Sequence, residues 1–125
     1  MLTDNDAMAA IAVKNLGAAR KFYEGILHLQ RSGGDDRQVT TYKSGNSTVV
    51  LYESAYAGTN KASSATWSVG AELENVVRSL REAGVGFEHY DLPGARRAGD
   101  VHIFGDFKAA WFKDPDGNIL HVNSG

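Results

Sequence analysis

The sequence predicts an α+β fold in which two paired βαβββ modules form curled mixed sheets around a cavity. The main observation is a repeated pattern of strand, tight turn and strand, which occurs around residues 42–51 and again around residues 110–122. An amphipathic helical pattern precedes each copy, as expected for a duplicated unit. We therefore predict a single domain, 1–125, with modules at approximately 7–54 and 64–123.

The first module begins with an alternating strand over residues 7–14. Asn15 has a side chain suited to capping a helix, and apolar residues at helical spacing extend that helix to about Leu27. A glycine-rich turn is predicted over residues 32–36. The strands that complete this module form a hairpin over residues 39–43 and 47–53.

The second module repeats this order after a small, polar linker over residues 54–63. Its last turn, 114–118, combines Pro115, which presets φ, with Gly117, which accepts a positive φ. The predicted elements are a strand over 64–69, a helix over 72–83, a strand over 85–90, a long loop over 92–105, and hairpin strands over 107–112 and 118–123.

Composition excludes several classes of function. The net charge is −2, so no basic surface indicates nucleic-acid binding. The chain has no cysteine, which rules out disulfides and thiolate ligands and is compatible with a reducing compartment. No apolar run approaches the ~20 residues of a membrane span, and the first residues lack a signal-peptide pattern. We expect a cytoplasmic protein without nucleic-acid or membrane partners.

The chain resembles the vicinal oxygen chelate superfamily, which includes glyoxalase I, extradiol dioxygenases and bleomycin-resistance proteins. The resemblance covers nearly the whole chain, and the most specific segment is Phe112–Leu120. Further marks are Asn15-Leu16 followed by Phe22-Tyr23, and the helix end at Leu80–Gly84. The segment from Phe87 to Gly94 also resembles a bacterial branch described as glyoxalase-like.

The resemblance allows the metal ligands of the superfamily to be compared residue by residue. Met8 occupies the position of the histidine near the start of the first strand, and Ser64 or Ala65 that of the histidine opening the fifth strand. His121 replaces the glutamate after the last turn, and a further glutamate falls near residues 51–53. Thioether and hydroxyl groups suit neither Zn²⁺ nor Fe²⁺ in a nitrogen–oxygen site. We therefore expect no metal and no cofactor.

Candidate site residues follow from strand alternation. His121 is predicted to face the cavity, and Glu53, at the end of its strand, could oppose it as an acid–base partner. The other histidines, His28 and His89, and the two tryptophans, Trp67 and Trp111, are predicted to be structural. The residues expected to contact a ligand are Met8, Tyr42, Tyr52, Tyr90, His102, Phe112 and His121.

The function predicted from these residues is metal-independent binding of a small organic molecule, in a homodimer. The alternative is a lyase, isomerase or dioxygenase with a non-standard metal or acid–base site around His121 and Glu53. A third possibility is a metal-free acid–base enzyme built on His121 alone. The sequence leaves open whether the chain is an enzyme.

Overall fold

Two mixed sheets make up the fold, and a computed structural model describes residues 1–33 and 38–125. Within these residues, a short 3₁₀ turn at Gly70–Glu72 precedes the second helix. The elements are β1 (Ala9–Val13), α1 (Leu16–Gly25), β2 (Gln30–Gly33), β3 (Val39–Ser44), β4 (Ser47–Glu53), β5 (Ser63–Ser68), α2 (Leu73–Glu82), β6 (Phe87–Glu88), β7 (Arg96–Ala98), β8 (Val101–Phe104), β9 (Phe107–Lys113) and β10 (Ile119–Asn123).

The two sheets have the same construction. In the first sheet the strand order is β1-β4-β3-β2, and β1 runs parallel to β4. In the second the order is β5-β10-β9-β8-β7, and β5 runs parallel to β10. All other pairings are antiparallel. The predicted α+β class with paired, curled mixed sheets is confirmed.

The first helix begins where the sequence predicts. Asn15 has an extended backbone, and its Oδ1 accepts a hydrogen bond from the N–H of Ala18 at 2.8 Å. This contact satisfies one of the free N–H groups of the first turn. The helix ends near Ile26, and His28 follows it in the left-handed region with φ 60°.

One continuous core lies on the helix-facing sides of both sheets. Alternation in β4 buries Val49 and Leu51, and alternation in β10 buries Leu120 and Val122. The rings of Phe22 on α1 and Phe112 on β9 approach to 6.5 Å, so the modules share this core. The opposite side of each sheet, called here the helix-free face, carries neither α1 nor α2.

Three elements differ from the sequence prediction. The strand predicted over residues 85–90 is reduced to β6, two residues long, and the long loop over 92–105 contains the hairpin β7–β8. β6 and β8 pair with different halves of β9, so together they occupy one strand position. Ser32 and Gly33 belong to β2 rather than to a turn. The rest of that predicted turn lies outside the described residues.

The turn at residues 114–118 joins the two modules. Asp114 is buried, and its Oδ1 accepts hydrogen bonds from the N–H groups of Asp116 and Asn118, both at 2.9 Å. Its Oδ2 accepts from the hydroxyl of Tyr23 on α1 at 2.7 Å. The Asn118 side chain donates to the carbonyl of Ala12 on β1 at 2.7 Å. The most distinctive sequence segment is therefore a tertiary contact as well as a hairpin turn.

None of the helices in the described ranges is both long and apolar enough to cross a lipid bilayer.

Candidate functional site

The helix-free face of the second sheet gathers aromatic and imidazole side chains around one tryptophan. Strand pairing places Trp111 of β9 opposite His121 of β10, and opposite Glu88 of β6 on its other side. The ring of Trp111 lies 4.6 Å from that of His121, 4.9 Å from that of His102 and 5.5 Å from that of Tyr90. We call these four residues the Trp111 cluster.

Alternation explains why these side chains share a face. In β9, Ala110 and Phe112 are buried against the helices, so Trp111 must point the other way. In β10, Leu120 and Val122 are buried in the same core, so His121 points with Trp111. The position predicted for His121, opposite the helices, is the one observed.

His102 is the buried member of the cluster. It is 1% exposed, and its Nε2 accepts a hydrogen bond from the N–H of Tyr90 at 2.9 Å. An acceptor nitrogen carries no hydrogen, so the ring hydrogen lies on Nδ1. That Nδ1 is buried without a hydrogen-bond partner. His102 therefore holds the Tyr90 segment against the sheet and leaves one polar group unsatisfied.

His121 is half-buried, and its Nδ1 also lacks a hydrogen-bond partner. Burial lowers the pKa of His121 below the ordinary value of 6.5, because the charged form is less well solvated there. The neutral form of the ring therefore predominates at pH 7, and a neutral imidazole has one acceptor nitrogen and one N–H donor. A neutral imidazole in such a position can accept a hydrogen bond or a proton from a ligand.

A charged pair borders the cluster. Lys113, two residues beyond Trp111 on the same face, lies with its Nζ 3.1 Å from Oε1 of Glu88. Both side chains are partly exposed, so solvent weakens their attraction. They present a cation and a carboxylate beside the aromatic surface.

Tyr52 belongs to the first sheet, and Met8 lies beside it. Tyr52 pairs with Ala12 on the helix-free face, and its side chain is 40% exposed. Met8 lies just before β1 and is 56% exposed. Both are accessible to a ligand, but no ring or hydrogen-bond contact in the described residues joins them to the Trp111 cluster.

Tyr42 and Phe112 do not line the helix-free face, which corrects the expectation that they form walls of that site. Tyr42 is 0% exposed, stacks on Tyr23 at 6.4 Å and donates its hydroxyl hydrogen to Glu24 at 2.7 Å. Burial and this carboxylate raise the pKa of the Tyr42 hydroxyl. Phe112 is 1% exposed and packs between Phe22 and Phe87. Both residues occupy alternation positions that point toward the helices.

The position of Glu53 also differs from the expected one, opposite His121. Its Oε2 accepts a hydrogen bond from the N–H of Leu16, the first residue of α1, at 3.0 Å. Glu53 pairs with Val13, whose side chain is buried in the helix-facing core. A carboxylate at a helix N-terminus is stabilised by the helix dipole. Glu53 therefore caps α1 and does not oppose His121.

The two other histidines and the exposed arginines of β7 lie outside the Trp111 cluster. His28 is exposed after α1, and His89 contacts Asp100 on the surface at 2.7 Å, as their structural interpretation predicts. Arg96 and Arg97 are exposed on the edge strand β7. Trp67 packs against the core as predicted, whereas Trp111, predicted to be structural, is central to the site. The sequence did contain a signal for this position of Trp111. Trp111 and His121 each lie between two apolar residues of their strands, and the hairpin pairs them, so both side chains point to the same face.

The similarity of this chain to known proteins lies in its three-dimensional structure. The chain matches no protein-family model and no curated protein sequence. Solved structures do match over nearly the whole chain. The integron cassette protein HFX_CASS4 from the mobile metagenome of the Halifax Harbour sewage outfall has a TM-score of 0.72 at 20% identity, covering 98% of this chain and 99% of that one.

Two further solved structures, a lyase and an antibiotic resistance protein, also superpose. Lactoylglutathione lyase from Agrobacterium tumefaciens has a TM-score of 0.71 at 16% identity, covering 98% of this chain and 95% of that one. The fosfomycin resistance protein FosX from Listeria monocytogenes has a TM-score of 0.72 at 12% identity, covering 98% and 93%. The chain has the vicinal oxygen chelate fold. At these identities the likeness concerns the fold alone.

The donor set at the metal-ligand positions of this fold does not fit a metal. Ser64 lies at a bulge, and the residue of β5 that faces His121 is Thr66. Met8 offers a thioether, and Glu53 is engaged at α1. Among the residues that the structure describes, no three His, Asp or Glu side chains converge as metal ligands do. His121 is the one imidazole that remains at these positions.

Proposed function

We propose that the protein binds a small, flat organic molecule on the helix-free face of the second sheet, without a catalytic metal. The observation that supports this most directly is the Trp111 cluster, a large aromatic surface flanked by two imidazoles with unpartnered nitrogens. Buried polar atoms without partners are rare in folded proteins, and a catalytic role or a bound group is one of the explanations for them. Aromatic walls with a few polar groups are the usual lining of a ligand site.

The fold supports this proposal in general terms. Lactoylglutathione lyase and a fosfomycin resistance protein share it, and both names refer to small molecules. A FosX mutant is recorded with Mn(II) and 1S,2S-dihydroxypropylphosphonic acid. The donor set described above does not match such a metal, so stacking on Trp111 and hydrogen bonding to His121 would carry recognition here.

Two measurements on untagged protein test the proposal. Elemental analysis after dialysis should find no stoichiometric transition metal, and one tightly held metal per chain would contradict the metal-free part. A screen of small aromatic and heteroaromatic fragments by nitrogen-15 NMR should identify compounds that shift the indole signal of Trp111 and not that of Trp67. Fragments that shift neither indole, across a broad set, would contradict the binding part.

A metal-free acid–base enzyme is the second candidate, and the neutral, partnerless His121 favours it. A single base with a lowered pKa would give an activity that falls as the pH drops through that pKa. A fragment identified by NMR would supply the scaffold for candidate substrates. Conversion of such compounds by the wild type, and not by His121→Ala, would distinguish catalysis from binding.

A further inference from the structure

A cavity lies on the other side of the second sheet, between α2 and the segment that follows α1. Its volume is about 450 Å³, within the roughly 300–1,000 Å³ range of small-molecule sites. Trp67, Phe112 and Val122, which alternate with residues of the helix-free face, line this cavity. It is therefore separated from the Trp111 cluster by the thickness of the sheet. We call it the α2 cavity.

Most of the partly buried hydrophobic residues that pack against the described core line the α2 cavity. Ten hydrophobic residues pack against that core while remaining partly buried, and six of them line this cavity. These six are Ile26, Leu27, Leu29, Trp67, Val69 and Val76. Apolar surface concentrated in a concave region is typical of a binding site, whereas scattered exposed residues are ordinary.

Local backbone geometry explains why the cavity remains open. After α1 the chain turns through His28, whose φ of 60° directs the segment Ile26–Leu29 along the rim. The side chains that face the cavity from α2 and from the residue that ends it include the small residues Ser79 and Ala83. Large side chains at these two positions would fill it. The indole Nε1–H of Trp67 donates to Oγ of Ser44 at 2.8 Å, which fixes the wall between the modules.

The charge of the rim favours one class of ligand. Among the lining residues Glu72 is the only Asp, Glu, Lys or Arg, and it lies at the start of α2. Its Oε2 accepts a hydrogen bond from Nδ2 of Asn75 at 3.0 Å, which holds the carboxylate at the rim. An apolar floor with a carboxylate at its border is complementary to an apolar body with a cationic head.

We propose that the α2 cavity is a second binding site, for a small amphiphile with an alkyl or aryl body and an ammonium group. The body packs against Trp67, Leu80 and Val122, and the ammonium group lies beside Glu72. This site is independent of the proposed function, since it uses the opposite face of the sheet. Occupancy would bridge the two modules through the segment Ile26–Leu29 and α2.

The two tryptophans allow a direct test with octylammonium chloride as probe. The indole N–H signals of Trp67 and Trp111 report the α2 cavity and the Trp111 cluster separately, and a Trp111→Phe variant assigns them. Octylammonium should shift the Trp67 signal saturably and leave that of Trp111 in place. Octanoate, with the same chain length and a negative head, should bind more weakly by about threefold or more.

Variants on α2 sharpen the test. Ser79→Phe, which fills the cavity, should weaken octylammonium binding by at least about tenfold. Glu72→Gln preserves the shape of the side chain and should remove the difference in affinity between octylammonium and octanoate. This variant also tests the proposal if Ser79→Phe does not fold. Glu82→Gln is the matched control, because it makes the same charge change at the opposite end of α2, at a residue that does not line the cavity.

Several results would overturn the proposal. A silent Trp67 signal, or equal shifts of both indoles, would show that the probe has no site here. Equal binding of octylammonium and octanoate would remove the role of Glu72. Amide signals along α2 that depend on protein concentration, together with no octylammonium binding, would assign the surface to a second copy of the chain instead.

Discussion

His121 and His102 both contact Trp111 on the helix-free face of the second sheet, yet their roles differ. His102 is fully buried and accepts a backbone hydrogen bond, so it supports the structure around Tyr90. His121 is half-buried and has no such partner. The difference predicts that substitution of the two imidazoles separates stability from binding.

His121→Ala should weaken the binding of fragments that shift Trp111 and cost less than about 1 kcal/mol of unfolding free energy, since no partner is stranded. His102→Ala, the matched control, leaves the Tyr90 N–H without its acceptor and should cost roughly 1–3 kcal/mol. Thermal melting and fragment titration of both variants check this. A large loss of stability in His121→Ala with unchanged binding would remove His121 from the site.

The lowered pKa of His121 also predicts a pH effect. Well above pH 6.5 the ring is neutral in both the folded and the unfolded chain. As the pH falls below that value, the unfolded chain takes up the proton first, so the free energy of unfolding decreases until the pH is below the folded pKa. Between about pH 7 and about pH 5 the Tm of the wild type should fall further than that of His121→Gln. Parallel curves would contradict this.

At the scale of elements, the carboxylate of Glu53 and the turn at residues 114–118 connect strands to helices. Glu53 extends from the end of β4 to the first N–H of α1. Asp114 joins its own turn to Tyr23 of α1, and burial together with this carboxylate raises the pKa of the Tyr23 hydroxyl. The ends of the elements are thus fixed by side chains distant in sequence.

Glu53→Gln should cost about 0.5 kcal/mol, because a neutral amide interacts less well with the N-terminus of α1. Since Glu53 and His121 lie on different sheets and faces, the double variant Glu53→Gln/His121→Ala should be additive within about 0.5 kcal/mol. Chemical denaturation of the two single variants and the double variant measures this. A larger coupling energy would restore the pair that the sequence suggested.

Gly58 touches the turn at residues 114–118 closely. A Cβ at this position would lie 1.8 Å from the carbonyl oxygen of Asp116, and φ is +73°. Gly58→Ala should therefore destabilise the protein by more than about 3 kcal/mol. Gly45 has a similar φ of +58° with nothing within 4 Å, so Gly45→Ala should cost only about 1 kcal/mol. Equal losses in the two variants would exclude the close approach as the cause.

The whole molecule exposes surfaces that a second copy could cover. Among the described strands, β2 and β7 stand at the ends of their sheets, and edge strands are normally paired or protected. The side chains of Tyr52, on β4, and of Met8, just before β1, are half-exposed. We propose that the chain forms a homodimer, the commonest closed arrangement.

Light scattering across a dilution series tests the dimer. The expected mass is twice the 13.5 kDa of one chain and should persist at micromolar concentration. A Tyr52→Glu variant, which adds a charge on the helix-free face, should shift the equilibrium toward the monomer if this face lies at the interface. A mass of one chain throughout the series would contradict the proposal.

The sequence alone determined the architecture, because alternation and helical spacing are local properties. The duplicated strand–turn–strand pattern predicted the paired sheets, and Asn15 predicted the start of α1. The alternation around His121 predicted that its side chain lies on the helix-free face. The short strands β2, β7 and β8 escaped prediction, since elements of three or four residues carry too little periodicity.

Only the tertiary structure decided which side chains meet. Tyr42 and Phe112 entered the core because strand pairing, rather than their aromatic character, sets the side on which they lie. Glu53 found the N–H of Leu16, 37 residues away, and Trp111 became the centre of a cluster drawn from four separate strand and loop segments. Local pattern determines the direction of a side chain, whereas its partners depend on the packing of elements that are distant in the chain.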